Sequence, residues 1–280
     1  MSPAHVHIDG LVHGFGQRSV LDGIDVLAQG GVMSLLGANG AGKTTLLRCL
    51  ATVLQPLDGT IRIDGLDPRR EAERVEVRRR LGYLPQEVGF TRSATVFDTL
   101  DHIAVLKGRR DERRRRHDVF EALDRVRLTD RVADRVTSLS GGMRRRLGLA
   151  QAIIGDPTLL VLDEPAAGLD PDERQNVRSI LAERRREQTT LVSTHLTDEA
   201  AGSDVVLVLH GGRIVFADTP ERLAMVASGR VWIQAHPPGP DVRASWRRAD
   251  GSHRCLGTPP PGASAVPPTI EDGYLLLVRS

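Results

Sequence analysis

Residues Gly37-Ala38-Asn39-Gly40-Ala41-Gly42-Lys43-Thr44 carry the densest chemistry in the chain. Their spacing is G-x-x-x-x-G-K-[ST], the pattern of a loop that wraps phosphate. Glycines let successive N–H groups turn toward phosphate oxygens, and a helix starting here adds the partial positive charge of its N-terminus. Lys43 would reach the β- and γ-phosphates and the Thr44 hydroxyl would ligate Mg²⁺, with Thr45 beside it among the nucleotide contacts. The chain has only two lysines, Lys43 and Lys107, against abundant arginine. A lysine inside a glycine-rich loop therefore points to a need for an ammonium point charge. The bland alternative is a glycine-rich turn, but the full pattern arises by chance at roughly a few in a hundred thousand starting positions. The loop alone indicates nucleotide binding without giving the class.

A second cluster is Leu159-Leu160-Val161-Leu162-Asp163-Glu164. A buried strand ending in a carboxylate suits a magnesium partner, because ligands of open α/β sheets sit beyond the C-terminal ends of the strands. Asp163 would hold Mg²⁺ directly or through water, and Glu164, one residue further, would polarise an attacking water. A solvated Asp-Glu pair after a strand is the alternative, and the phosphate loop in the same chain counts against it.

These residues need elements to position them. A strand at Val32–Leu36 precedes the phosphate loop, and helix-like composition follows over 43–53. Further strands are expected at His5–Ile8, Ile24–Leu27, Thr60–Asp64, Leu81–Pro85, Thr158–Leu162 and Thr189–Ser193, with a strand–GlyGly–strand hairpin over 205–216. Apolar residues Val96, Leu100, Ile103 and Leu106 recur at helical spacing, so 95–134 reads as helical, as do Met143–Gly155 and Asp172–Arg186. Strands alternating with helices predict an α/β fold with a mostly parallel core sheet and an antiparallel part at the N-terminus. After about Ala227 the texture changes: half of the sixteen prolines lie between Pro237 and Pro268, and only Val231–Ala235 and Tyr274–Val278 look like strands. A small, loosely built C-terminal appendage is expected there.

The remaining signals are mostly negative. The longest apolar runs are strand-sized, far below the ~20 residues of a membrane helix. Met1-Ser2-Pro3-Ala4-His5 has neither basic start nor apolar stretch, so no signal peptide is read. Cys49 and Cys255 show no motif spacing and read as idle thiols, Cys49 as a small core residue. His5, His7 and His13 lack companion carboxylates or cysteines and read as non-ligands. The arginine run Arg113–Arg116 reads as a solvated helix face, and a net charge of +2 gives no support for a nucleic-acid partner.

Four further segments complete a pattern. Leu139-Ser140-Gly141-Gly142-Met143 resembles the signature loop of the ABC ATPases, with Met143 where Gln is usual. Glu164-Pro165 through Ala167-Gly168-Leu169-Asp170 resembles their D-loop, Gly82-Tyr83-Leu84-Pro85-Gln86 their Q-loop, and Ser193-Thr194-His195 their switch histidine. Order and spacing match from about residue 5 to 220, which is far more specific than any single motif. The resemblance implies a P-loop NTPase fold of ABC type over 1–228, with a helical subdomain at about 87–155 and the appendage at 229–280. It also implies roles. Ser140, Gly141 and Gly142 would meet the γ-phosphate of ATP bound to an opposite subunit, so that two chains, expected to be identical, sandwich two ATP molecules. Gln86 would contact Mg²⁺ or the attacking water, His195 would hydrogen-bond the γ-phosphate, and Asp170 would signal across the dimer. Phe15, between Gly14 and Gly16, falls where the family stacks adenine.

The function implied is an ATP-hydrolysing subunit that drives a separate membrane permease from the cytoplasmic face of the cell membrane. The C-terminal part resembles the ABC-2 exporter type. The alternative is an ABC ATPase acting on nucleic acid or ribosomes, against which the chain shows no tandem cassette, coiled-coil arm or zinc insert. The permease is expected to dock beside Gln86, where Gly89-Phe90 is read as exposed apolar surface.

Overall fold

A computed structural model describes residues 5–183, 188–239 and 242–279. Residues 1–4 and the expected helix end at 184–186 lie outside the described residues. The chain opens with β1 (His5–Phe15), β2 (Arg18–Gln29) and β3 (Gly31–Leu36), followed by α1 (Lys43–Leu50), β4 (Asp58–Ile63), α2 (Glu71–Arg80) and β5 (Leu81–Leu84). A helical stretch follows, with α3 (Val96–Leu106), α4 (Glu112–Arg125) and α5 (Gly141–Ile153). Then come β6 (Leu159–Asp163), α6 (Pro171–Ala182), β7 (Thr189–Thr194), α7 (Thr197–Ala200), β8 (Val205–His210), β9 (Arg213–Asp218) and α8 (Pro220–Met225). The chain ends in β10 (Val231–Gln234), β11 (Ala244–Arg247), β12 (His253–Leu256) and α9 (Ile270–Val278).

The central sheet has the order β5-β6-β7-β3-β8-β9, parallel except for β9. An antiparallel sheet, β2-β1-β4, stands at the N-terminal side. Strand β6 shows why the core sheet is buried on both faces. Leu159 and Val161 pack with the N-terminal sheet and α1, whereas Leu160 and Leu162 pack with α3, α4 and α5. A strand covered on both sides must be continuously apolar, and this one is until Asp163. The helices start where their caps dictate. Thr95 and Asp98 form a reciprocal capping box on α3, and Asp170 caps α6 with Pro171 in its first turn.

Three expectations need correction. Tyr274–Val278 is not a strand but the body of α9, because Thr269 and Asp272 form a capping box that starts a helix. The C-terminal segment is not loosely built. Ile270, Tyr274, Leu277 and Val278 of α9 pack against Leu36, Val206 and Val208 of the central sheet, while Leu276 packs with Val231, Ala244 and Leu256 of the three-stranded sheet β10-β12-β11. Phe90 is half-buried against the helical cluster, so it is not a free apolar surface.

Candidate functional site

The phosphate loop fills the turn between β3 and α1. Gly42 has φ 109°, and a Cβ there would lie 2.9 Å from Leu21 Cδ2 and 3.1 Å from the Val20 carbonyl. Only glycine fits that turn, and its contact with Val20 and Leu21 sets the β1–β2 hairpin beside the loop. Ala38, Asn39 and Gly40 are exposed, Thr44 is half-buried, and Thr45 is buried. The buried Lys43 ammonium donates to the carbonyls of Gly37 at 2.7 Å and Ala38 at 3.3 Å, and lies 4.0 Å from Glu164 Oε1. Burial pulls the lysine below its ordinary value, while the charges of Glu164 and Asp163 raise it.

The carboxylates stand at the end of β6, opposite β7. Asp163 pairs in register with Ser193, whose hydroxyl donates to Asp163 Oδ1 at 2.6 Å and accepts from the Glu164 N–H at 2.9 Å. Asp163 is 1% exposed, and its Oδ2 is buried without a hydrogen-bond partner among the described residues. An orphaned, buried carboxylate oxygen is an unfilled acceptor, suited to a hard cation. Among the described residues no three His, Cys, Asp or Glu side chains gather into a metal cage. A carboxylate joined by one hydroxyl, such as that of Thr44, would make the sparse kind of donor set that Mg²⁺ completes with water and substrate phosphate. Glu164 occupies the left-handed region at φ 49°, and His195 Nδ1 lies 3.3 Å from its Oε1. Lys43, Asp163, Glu164, Ser193 and His195 therefore form one cluster.

The other expected residues lie around it. Gln86 is exposed at the end of the β5 turn. Ser140 caps α5, accepting from Met143 N at 3.2 Å, and Asp170 caps α6, accepting from Glu173 N at 2.8 Å. Gly141 is exposed, and Gly142 lies over Glu173, so these two loops are neighbours. No hydrogen bond or ion pair among the described residues joins Ser140, Gly141, Gly142 or Asp170 to the phosphate loop. Phe15 is 54% exposed, and its ring meets His13 edge-on at 5.1 Å.

A family model described as ABC transporter matches residues 25–167. A daunorubicin resistance ATP-binding protein of Streptomyces coeruleorubidus is 37% identical over 82% of this chain and 72% of its own length. The chain belongs to the ABC transporter family. A phosphate import ATP-binding protein of Natronomonas pharaonis is 36% identical over 77% of this ABC chain and 80% of its own. The solved structure of an ATP-binding subunit of an ABC transporter superposes with a TM-score of 0.72 at 25% identity, covering 78% of this chain and 91% of that one. This ABC chain is an ATP-binding and ATP-hydrolysing transporter subunit, and these relatives do not favour action on nucleic acid or ribosomes. Among its described residues no helix is long and apolar enough to cross a membrane.

Sequence reasoning about this ABC subunit overlooked two of its side chains. In the sequence Ser193 is the end of a strand and the start of the histidine segment and carries no sign that it links both carboxylates; its pairing opposite Asp163 is a register fact. Arg145 hid in the run Arg144-Arg145-Arg146, where composition gives no reason to separate one arginine from the next. Cys49 is buried with its thiol pushed up to about 12 by desolvation, as befits a core residue.

Proposed function

We propose that this chain powers export of a drug-like amphiphile through a separate permease, as one of two identical ATP-binding subunits on the inner face of the cell membrane. The observation that carries the catalytic part is the convergence of Lys43, Glu164 and His195 on the end of β6, with Asp163 buried beside them. Residues 1–228 form the ATP-binding unit in this reading, and 229–280 the appendage.

Glu164 is the base that takes a proton from the attacking water. Its left-handed backbone and the bond from its N–H to Ser193 aim the side chain past the strand end. Lys43 holds the β- and γ-phosphates once ATP replaces the carbonyls of Gly37 and Ala38 as its partners, and His195 donates to the γ-phosphate. Thr44, Asp163 and Gln86 are the residues that would hold Mg²⁺, which neutralises phosphate charge when bound. Phe15, exposed beside the loop, offers its ring to adenine. Ser140, Gly141 and Gly142 at the start of α5 offer a helix N-terminus to the γ-phosphate held by the second subunit, and Asp170 faces the same junction.

The Streptomyces relative's name associates it with resistance to a drug, which supports export; the phosphate import relative stands on the other side. Everted vesicles carrying this subunit and its permease decide between them. ATP-dependent accumulation of daunorubicin or a similar amphiphile inside everted vesicles is the expected result. Uptake only in right-side-out vesicles would reverse the direction. Size-exclusion chromatography of Glu164→Gln with MgATP tests the pairing: a monomer at high protein concentration would replace the homodimer with a paralogous partner.

A further inference from the structure

We infer that Arg145 is a positioning residue that ties occupancy of the signature loop to the geometry of Glu164 and Gln86 in the same chain. The inference rests on the proposal above that Glu164 activates water and that Ser140–Gly142 receive the second subunit's γ-phosphate.

The guanidinium reaches two functional segments at once. Nη1 donates to the carbonyls of Pro85 at 2.8 Å and Gln86 at 2.7 Å. Nη2 donates to the carbonyls of Asp163 and Glu164, both at 2.6 Å. Each nitrogen thus bridges two successive peptide carbonyls, a use that needs the planar fork of arginine. No carboxylate side chain pairs with Arg145 among the described residues, and its Nε is buried without a partner. A desolvated cation whose hydrogen bonds all go to carbonyls, with the Asp163 and Glu164 charges nearby but not paired to it, is an expensive arrangement unless those carbonyls stay in place, so the charge itself enforces the geometry. Its neighbours do other work. Arg144 closes onto the Leu139 carbonyl of its own loop, and Arg146 takes the carbonyls of Val126 and Arg127 at the end of α4 and pairs with Glu173.

The route from the signature loop to the guanidinium is short and stiff. Ser140 caps α5, and Arg145 stands one and a half turns further on. The helix lies hard against β5 at its far end: a Cβ on Gly82 would fall onto the Ala152 carbonyl of α5, so the backbones meet directly there. A small shift of the α5 start on meeting a phosphate therefore passes into the carbonyls of Gln86 and Glu164. Glu164 is the sensitive recipient: its φ of 49° is a conformation that a non-glycine residue holds only under constraint, and the bonds to Arg145 and Ser193 are that constraint.

The test uses the full-length chain with Arg145→Met and Arg145→Lys. Steady-state ATPase should show kcat reduced tenfold or more in both, with KM for ATP and equilibrium nucleotide affinity within twofold of the parent. Lysine keeps the charge but lacks the fork, so it should fail to restore kcat. Amide hydrogen exchange in a Glu164→Gln background supplies the local readout. MgATP should protect the 163–168 and 85–88 segments in the parent, and that protection should disappear with Arg145→Met while the rest of the sheet stays protected. If Arg145→Met does not fold, Arg145→Lys decides alone. Unchanged kcat and unchanged exchange in the folded variants overturn the inference and leave the Glu164 assignment standing. Wild-type turnover by Glu164→Gln overturns that assignment, and the inference with it.

Discussion

Two adjacent carboxylates at the end of one strand have been given different environments. Asp163 is sealed at 1% exposure with one oxygen bonded to Ser193, whereas Glu164 stands 3.3 Å from His195 and 4.0 Å from Lys43 with its side chain 14% exposed. The sealed one is suited to a fixed cation and the other to a mobile proton. Glu164→Gln keeps the shape and removes the basic oxygen. Hydrolysis should fall by about two orders of magnitude or more, the scale of losing a positioned base, with MgATP affinity retained. A coupled-enzyme assay beside a fluorescent-nucleotide titration reads both; near-normal turnover would remove Glu164 from the base role. Lys43→Ala should act in the other order. It takes a cation from the phosphates and from the Gly37 and Ala38 carbonyls together, so affinity drops before any turnover is measured. Unaltered affinity in that variant would undo the phosphate-loop assignment.

At the scale of elements, chemistry that lives in consecutive residues was legible in the sequence, and chemistry that depends on register or caps was not. The phosphate loop, the apolar strand ending in Asp163 and the signature segment each lie in one short stretch, and each falls on the expected strand end or helix start. Helix α2 leaves no apolar period in the sequence because only Val77 of its ten residues is buried and its surface is held by pairs such as Glu76–Arg80 at 2.6 Å. Helix α9 differs from the expected strand because five apolar residues suit a strand as well as a buried helix, and the Thr269–Asp272 cap decides for the helix. The phosphate loop offers a sharp test at this scale. Gly42→Ala puts a methyl against Leu21 and the Val20 carbonyl at a φ of 109°, so the turn must rearrange at a cost of about 1–3 kcal/mol. Loss of nucleotide affinity with only a modest drop in melting temperature is expected. An affinity equal to the parent's would mean that the loop tolerates a second conformation.

At the scale of the whole molecule, α9 fastens the C-terminal sheet to the sheet that carries the site. One side of the helix meets Leu36, the residue just before the phosphate loop, together with Val206 and Val208; the other meets the sheet β10-β12-β11. Ala200 of α7, five residues beyond His195, is fully buried in the same cluster. The fastening has an ionic bolt. Asp272 is 0% exposed, accepts from Arg254 Nη2 at 2.5 Å and Nε at 3.2 Å, and completes the cap with Thr269. Asp272→Ala leaves the Arg254 guanidinium without its carboxylate and takes from the α9 capping box the half that accepts from Thr269, while the Thr269 hydroxyl still caps the N–H of residue 272. Breaking a buried pair from one side costs about 3–5 kcal/mol, enough to free α9 while the ATP-binding sheet remains folded. Limited proteolysis should then cut between α8 and α9 in the variant and not in the parent, and the apolar cluster beneath Leu36 should bind a hydrophobic dye. Because that cluster lies under both the phosphate loop and α7, ATP turnover should weaken in step with the loss of α9. A variant that releases α9 yet hydrolyses ATP at the parent's rate would show that the site stands without this fastening.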